Sequence, residues 1–212
     1  MKKKSLTLCL FALGVSGLMM FSGNEEVSAH GYVNQPVSRV VNAKANGFGW
    51  GPGEISSHPE IISTPQGVEA PTSSLDSGKL NGKLASAGLD VYSPLNEQSS
   101  NRWVKTTIST GENNFNWHHT AVHKTNRYRY YMTKQGWNQN EPLTLKNMDL
   151  IKVIGQPIGE DYPKGEGFIP ATDELQKVTI PSDRSGYHVV YAVWDINDTI
   201  NSFFQAIDVN VK

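Results

Sequence analysis

The chain has 212 residues, of which 19 are lysine or arginine and 20 are aspartate or glutamate, and its formal net charge is −1. This balance argues against nucleic acid as a partner, because phosphate binding needs clustered basic residues. Cys9 is the only cysteine, so the chain can form neither an internal disulfide nor a metal site built from several thiolates.

The first 29 residues have the layout of a secretory signal peptide. Three lysines precede an apolar run over residues 6–21, and small residues ending in Ala29 follow. A membrane anchor is the alternative, but a spanning helix needs ~20 apolar residues, and this run is shorter and interrupted by glycine. The pattern predicts cleavage after Ala29 and a secreted, extracellular single domain, residues 30–212, that begins with His30.

The mature chain begins with two contrasting parts. Residues 30–41 predict a short opening strand. Residues 42–100 are rich in glycine, proline, serine and asparagine, which prevents long regular elements. We therefore expect a long insertion of loops and short helices after the first strand, and a loop of this length is more often functional than idle.

The remainder of the mature chain predicts a series of strands. Alternating, β-branched and aromatic segments recur there, and turn signals separate them. The segments lie at residues 103–108, 114–122, 128–133, 145–153, 176–180, 186–194 and 203–211. Because no convincing amphipathic helix accompanies them, we expect an all-β, immunoglobulin- or fibronectin-III-like β-sandwich.

An N-terminal histidine is the first feature that indicates chemistry. As residue one, His30 would carry an α-amine beside its imidazole, and an amine with a pKa near ~8 readily exchanges its proton for a metal ion. One residue then chelates with two nitrogens, and a second histidine adds a third. Such nitrogen-only ligation suits Cu(II). These residues alone leave open the alternative of a frayed terminus that binds no metal.

The residues from His30 onwards form the first of several distinctive blocks. Residues 30–39 have the sequence HGYVNQPVSR, and residues 65–71 have the sequence PQGVEAP. Further blocks lie at residues 115–123, 130–134, 180–198 and 201–211. Together, and in the same order over nearly the whole mature chain, these blocks resemble the bacterial lytic polysaccharide monooxygenases of the chitin-binding-protein type, auxiliary activity family ten.

The resemblance implies roles for five residues. His30 and His123 match the two copper ligands, and Phe203 matches an aromatic residue at one axial side of the metal. Ala121 matches a small residue at the other axial side, and strand alternation independently places it on the same face as His123. Glu69 matches an acidic residue that positions or protonates the oxygen co-substrate, with a solvated surface carboxylate as the alternative.

The activity that the resemblance implies is oxidative cleavage of crystalline chitin, with oxidation at C1. One copper ion would cycle between Cu(II) and Cu(I) with an external electron donor, and hydrogen peroxide or dioxygen would be the co-substrate. Cellulose and host glycans are alternative substrates, and a non-catalytic chitin-binding or adhesion protein is the alternative function. We further expect a monomer that contacts neither nucleic acid nor, after cleavage, a membrane.

A crystalline substrate requires a flat binding face with polar groups around the metal. Thr120, Asp198 and Asn201 match surface positions of the family close to His123. The resemblance therefore implies that these three residues contact the substrate.

One departure from the family concerns an aromatic residue of this face. Many relatives carry a surface tyrosine shortly before the block that contains Glu69, where this chain has Ser63 and Thr64. Trp50, in a glycine-rich segment, is the candidate that takes over the stacking on sugar rings, with a buried core position as the alternative. We expect Ser63 and Thr64 to contact the substrate as polar replacements.

The remaining four histidines receive no metal role. We expect His118 on the face opposite His123, and the family has no ligand at the position of His119. His188 lies in a predicted core strand, and His58 lies in the insertion without an assigned role.

Overall fold

The computed structural model describes residues 30–46 and 58–212. The expected signal peptide, residues 1–29, and Trp50 lie outside these described residues, so both expectations stay predictions. Within the described part of the chain, no helix is long and apolar enough to cross a membrane.

Two β-sheets form a sandwich, which confirms the expected all-β fold. In chain order, the strands are β1 (His30–Gln35), β2 (Glu69–Pro71), β3 (Thr106–Ile108), β4 (Gly111–Ala121), β5 (Thr125–Thr133), β6 (Met148–Gly155), β7 (Asp173–Ile180), β8 (Gly186–Ile196) and β9 (Asn201–Val211). The smaller sheet is antiparallel with the order β1–β4–β7. The larger sheet has the order β2–β9–β8–β5–β6, and β3 pairs in parallel with the C-terminal end of β9.

A largely helical insertion follows β1, as expected. Its described elements, besides β2, are the helices α1 (Arg39–Asn46), α2 (Glu60–Ser63) and α3 (Thr72–Asp76) and the 3₁₀ segments Leu84–Ser86 and Asp90–Asn96. The opening strand was expected to extend to residue 41, but it ends at Gln35. The reason is Pro36, which has no N–H to donate to a strand ladder and breaks the strand before α1 begins.

All the predicted strands are present, but most of them begin at a different residue from the one predicted. β4, β5, β7, β8 and β9 each begin at or before the predicted residue. β3 occupies only the second half of the segment 103–108, and the segment predicted at 145–153 begins with a 3₁₀ turn, Leu145–Asn147, before β6.

The larger sheet is buried on both faces. In β8, Ala192 and Trp194 pack against the smaller sheet, whereas Tyr191 and Val193 pack against the insertion. Residues 187–196 are therefore all buried, which explains why β8 is a near-continuous apolar run rather than an alternating one. Full burial of each large apolar side chain contributes roughly 1.5–3 kcal/mol, so β8 is the central support of the fold.

Candidate metal centre

Strand pairing brings two histidines to the same end of the sandwich. β1 begins at His30 and pairs with β4 so that His30 lies opposite Ala121, the last residue of β4. His123 follows two residues later, in the connection from β4 to β5. The register of the smaller sheet therefore places His30 and His123, which are 93 positions apart in the sequence, at the same end of the sandwich.

Hydrogen bonds hold the connection that carries His123. The Thr125 hydroxyl donates to the His123 carbonyl at 3.1 Å and accepts a hydrogen bond from Trp194 Nε1 at 2.7 Å. The backbone N–H of Asn197 donates to the carbonyl of the residue after His123 at 2.7 Å. The connection is therefore tied both to the buried core and to the β8–β9 connection, which carries Asp198.

The His123 ring is oriented as a metal ligand would be. The residue is 8% exposed, and its Nδ1 lies 2.9 Å from Asp198 Oδ1. An Nδ1–H that donates to this carboxylate leaves the lone pair on Nε2, and that buried atom has no hydrogen-bond partner among the described residues. A buried polar atom without a partner costs ~1–3 kcal/mol. A metal ion would satisfy it, and a carboxylate behind the histidine is the usual arrangement at metal sites.

Aromatic rings surround the other histidine. The rings of His30 and Phe203 meet edge to face, with centroids 6.3 Å apart and planes at 62°. Phe203 is fully buried in β9, and its ring lies 5.3 Å from that of Trp194. His30 therefore borders an apolar wall, which fits an aromatic residue beside the metal, although its axial position stays a prediction.

A carboxylate and an amide complete this end of the sandwich. Glu69 in β2 lies opposite Phe203 in β9. The amide Nδ2 of Asn201 donates to Glu69 Oε2 at 3.1 Å. Glu69 is half-buried, so it is not the freely solvated carboxylate that was the alternative. Pairing of β2 with β9 thus brings the Glu69 carboxylate next to Phe203, the aromatic neighbour of His30.

Comparison with known sequences identifies the family. Residues 30–209 match the family described as lytic polysaccharide mono-oxygenase, cellulose-degrading. The chain belongs to the lytic polysaccharide monooxygenases. Membership confirms the expected class of enzyme, a copper-dependent polysaccharide monooxygenase with a β-sandwich fold. His30 and His123 fit the copper ion of this class, because the buried Nε2 of His123 has no partner among the described residues.

Individual relatives support the assignment. The chain is 41% identical to a lytic chitin monooxygenase from Enterococcus faecalis, over 100% of both chains. It is 39% identical to GlcNAc-binding protein A from Shewanella oneidensis, where 99% of this chain covers only 40% of that longer protein. CBM33 from Bacillus amyloliquefaciens, solved in complex with Cu(I) after photoreduction, is 35% identical, with a TM-score of 0.72 over 86% of this chain and 100% of that chain.

The monooxygenase fold separates the expected substrate contacts into two groups. Thr120 and Ser63 are exposed, as a surface contact requires. Thr64 is half-buried, and its hydroxyl donates to the Glu60 carbonyl at 3.1 Å and lies 3.0 Å from the Tyr92 hydroxyl. The Thr64 hydroxyl therefore forms its hydrogen bonds within the insertion.

Asp198 and Asn201 belong to neither group, because each contacts a residue of the monooxygenase centre. Asp198 accepts from His123, and Asn201 donates to Glu69. Substrate contacts of Asp198 and Asn201 stay predictions, and their contacts with His123 and Glu69 were not predicted from the sequence. The four residues lie on different strands and connections, so no local pattern could have shown the pairs.

Tyr92 supports the loop before Glu69, and this role was not predicted from the sequence. The Tyr92 hydroxyl donates to the Thr64 carbonyl at 2.7 Å. A Cβ atom at Gly67 would lie only 2.8 Å from the Tyr92 hydroxyl oxygen. Gly67 thus allows the insertion to close tightly just before Glu69. The glycine in the PQGVEAP block was the available signal, but its partner is 25 residues away.

Proposed function

We propose that the protein is a secreted lytic chitin monooxygenase that oxidises C1 of crystalline chitin with one copper ion held by His30 and His123. The observation that carries the proposal is the buried Nε2 of His123, which has no partner among the described residues and lies at the same end of the sandwich as His30. A chitin-binding protein without catalysis would gain nothing from such a nitrogen. The names of the Enterococcus and Shewanella relatives favour chitin over cellulose.

The ligands would be three nitrogens. His30 would supply its imidazole and, after removal of residues 1–29, its α-amine, and His123 would supply Nε2. Asp198 would keep the His123 ring in the tautomer that directs a lone pair at the metal. Copper, when bound, supplies one-electron redox chemistry that an external electron donor and hydrogen peroxide or dioxygen sustain.

Three further side chains would control what reaches the metal. The Phe203 ring would exclude water from one side, because it is buried and borders His30. Ala121, opposite His30 in the β1–β4 pair, would leave room for the co-substrate on account of its small side chain. Glu69, held by the Asn201 amide, would position or deliver a proton to that co-substrate.

The substrate face would surround this centre. Thr120 and Ser63 are exposed and would donate or accept hydrogen bonds with hydroxyl and acetamido groups. Trp50 would add a stacking surface, and Thr64 would support the loop that presents Ser63. We also propose that the mature protein, residues 30–212, acts as an extracellular monomer.

The proposal is tested with the mature, copper-loaded protein, β-chitin and ascorbate. We expect mass spectrometry to find soluble oligosaccharides that carry an aldonic acid at the reducing end. The same protein without ascorbate is the control, and microcrystalline cellulose is the competing substrate. Intact copper binding without oxidised products from β-chitin would refute the enzyme, and oxidised products from cellulose alone would refute the substrate.

A further inference from the structure

A second concave site lies on the face of the larger sheet that turns away from the smaller sheet. It has a volume of about 950 Å³, within the range of pockets that hold small organic ligands. β5, β8, α3 and the loop before β7 all contribute to its walls. Strand alternation explains the position, because Tyr128 and Tyr130 face the core between the sheets and Arg127 and Arg129 face the other way.

Two buried arginines form the floor of this cavity. Arg129 donates from Nη2 to Asp195 Oδ1 and from Nη1 to Asp76 Oδ1, both at 2.8 Å. Arg127 pairs with Asp161, and its Nε lies 3.6 Å from Asp195 Oδ2, beyond hydrogen-bond distance. The two residues are 3% and 2% exposed, and the Nε of each has no acceptor among the described residues.

The arginines are thus incompletely satisfied by the protein. Buried donors nearly always have an acceptor, and each exception calls for an explanation. Burial lowers the pKa of Arg127, although the Asp195 carboxylate acts in the opposite direction. The buried Nε atoms are out of reach of a ligand, but both arginines line the cavity. A ligand with a neutral, strong acceptor, such as an amide carbonyl oxygen, would stabilise these cations from the cavity side without adding a charge.

The charges around the cavity select a neutral ligand. Three carboxylates oppose three basic groups, so neither an anion nor a cation is favoured overall; these are Asp76, Asp161, Asp195, Arg127, Arg129 and Lys164. The rim also has an apolar part, since Ile158 is 50% exposed and Ile200 is 76% exposed. A sugar combines hydroxyl groups that both donate and accept with apolar C–H faces, which matches this lining.

The cavity is connected to the metal centre through one short segment. Asn197, Thr199 and Ile200 line it, and they flank Asp198, the partner of His123. The backbone N–H and the hydroxyl of Thr72 both donate to the Ile200 carbonyl, at 2.9 and 3.1 Å. A ligand that contacts this segment would therefore lie next to the residues that orient the metal ligands.

We propose that this cavity is a second carbohydrate site, which binds a short, soluble, neutral oligosaccharide of N-acetylglucosamine. The choice of N-acetylglucosamine rests on the proposed function. The lining of the cavity supports a neutral ligand that carries hydroxyl and amide groups. Such a site would hold a loosened or released chain beside the flat chitin face.

The test is a ¹H–¹⁵N NMR titration of the mature, copper-loaded protein, kept anaerobic and reduced to diamagnetic Cu(I). The titrant is tri-N-acetylchitotriose, with cellotriose, which lacks acetamido groups, as the comparison. We expect saturable shifts of the amides of Arg127, Arg129 and Ile200, with a dissociation constant on the order of 1 mM and at least about fivefold weaker binding of cellotriose. Equal binding of both trisaccharides, or no shift at these amides, would overturn the proposal.

A matched pair of variants locates the binding. Ser73 is exposed on α3 and lines the cavity, whereas Ser77, also exposed, directly follows α3 and does not line it. We expect Ser73→Trp to fill the entrance and weaken chitotriose binding at least about tenfold, and Ser77→Trp to leave it unchanged. Equal binding by the two variants would place the sugar elsewhere and refute the site.

Failure of the second site and failure of the proposed enzymatic function give different results. We expect chitotriose to bind the copper-free protein as well, and we expect Ser73→Trp to oxidise β-chitin at the initial rate of the parent protein. If the parent protein does not oxidise β-chitin but chitotriose still shifts the amides that line the cavity, only the proposed function is contradicted. Shifts that require copper, or that centre on His30 and His123, would contradict the second site alone.

Discussion

Two buried histidines near the end of β4 differ in what their ring nitrogens contact. His119 is 2% exposed and uses both nitrogens within the protein: Nδ1 lies 2.7 Å from the Ala171 carbonyl, and Nε2 lies 3.0 Å from the Tyr128 hydroxyl. His123 is 8% exposed and uses only Nδ1, which contacts Asp198, while Nε2 has no partner among the described residues.

Burial alone therefore does not distinguish a candidate metal ligand from a core histidine. A neutral imidazole has one donor and one acceptor nitrogen. In His119, the carbonyl takes the donor and the tyrosine hydroxyl supplies the acceptor's proton, so the ring is complete, and it stacks on Trp117 at an angle of 2°. In His123 the acceptor nitrogen has no partner among the described residues, and the proposed copper ion would supply one.

Removal of the ring with the unpartnered nitrogen should have the largest effect. We expect His123→Ala to weaken copper binding by more than about 100-fold, because loss of a supporting residue alone costs 10–100-fold, and to abolish oxidation of β-chitin. Isothermal titration with Cu(II) measures the change. His119→Gln is the control, since both ring nitrogens of His119 already have partners within the protein. An equal loss of copper binding in this variant would contradict the assignment of His123 as the ligand.

The N-terminal amine should matter nearly as much. An extra alanine before His30 moves the α-amine one residue away and replaces it with an amide nitrogen, which removes one of three nitrogens. We expect much weaker copper binding, a changed electron paramagnetic resonance spectrum of Cu(II), and no oxidised products. An unchanged spectrum would show that the amine of His30 is not a ligand.

The carboxylate behind His123 should have an intermediate effect. Asp198→Asn replaces a carboxylate, which only accepts hydrogen bonds, with an amide that can also donate to Nδ1, so the tautomer of the ring is no longer fixed. We therefore expect copper affinity to fall by about 10–100-fold while the fold is retained. A second histidine–carboxylate pair, His118 with Asp173 at 2.8 Å, supplies the matched control. Asp173→Asn should leave copper affinity unchanged, and an equal loss in both variants would contradict the role of Asp198.

The complete ring should contribute to stability rather than to metal binding. His119→Phe leaves the Tyr128 hydroxyl and the Ala171 carbonyl without their partner, and we expect the free energy of unfolding to fall by about 1–3 kcal/mol. Denaturant unfolding of the metal-free protein measures it. Copper affinity should change by less than about twofold, and a larger change would remove the distinction between the two histidines.

The smallest expected effect is a dependence of stability on pH. Burial lowers the pKa of His119 and of His188 below their ordinary value of ~6.5. Both therefore stay neutral in the folded chain at a pH at which the unfolded chain binds protons. Their contribution to the free energy of unfolding is complete above about pH 6.5 and is lost as the pH falls. The free energy of unfolding falls by at most about 1.4 kcal/mol per pH unit for each histidine.

Denaturant unfolding of the metal-free protein between pH 5 and pH 7.5 checks this dependence. The slope should be shallower in His119→Phe, because one of the two titrating groups is gone. Stability that rises as the pH falls over this range would contradict the sign of both shifts.

Local sequence pattern predicted the framework well and the boundaries less well. The apolar run of β8 predicted a buried strand, and the glycine- and proline-rich segment predicted the insertion. The helix α1 was missed because Arg39–Asn46 is too short for a clear helical pattern. Packing on the larger sheet and the buried ion pair of Arg39 with Asp208 stabilise it. The partners of His123 and Glu69 were missed because Asp198 and Asn201 are 75 and 132 residues away.

From residue types and local patterns alone, a leader that ends before His30 stays a prediction, whereas the position of His123 near the end of a strand and the sandwich of strands were predicted and are observed. These properties depend on residue type and on spacing within single segments. Only the folded chain shows which ring nitrogen of His123 lacks a partner among the described residues, which carboxylate contacts the other nitrogen, and that Arg127 and Arg129 line a second cavity. Those properties depend on hydrogen bonds and burial between distant segments, which only the folded chain brings together.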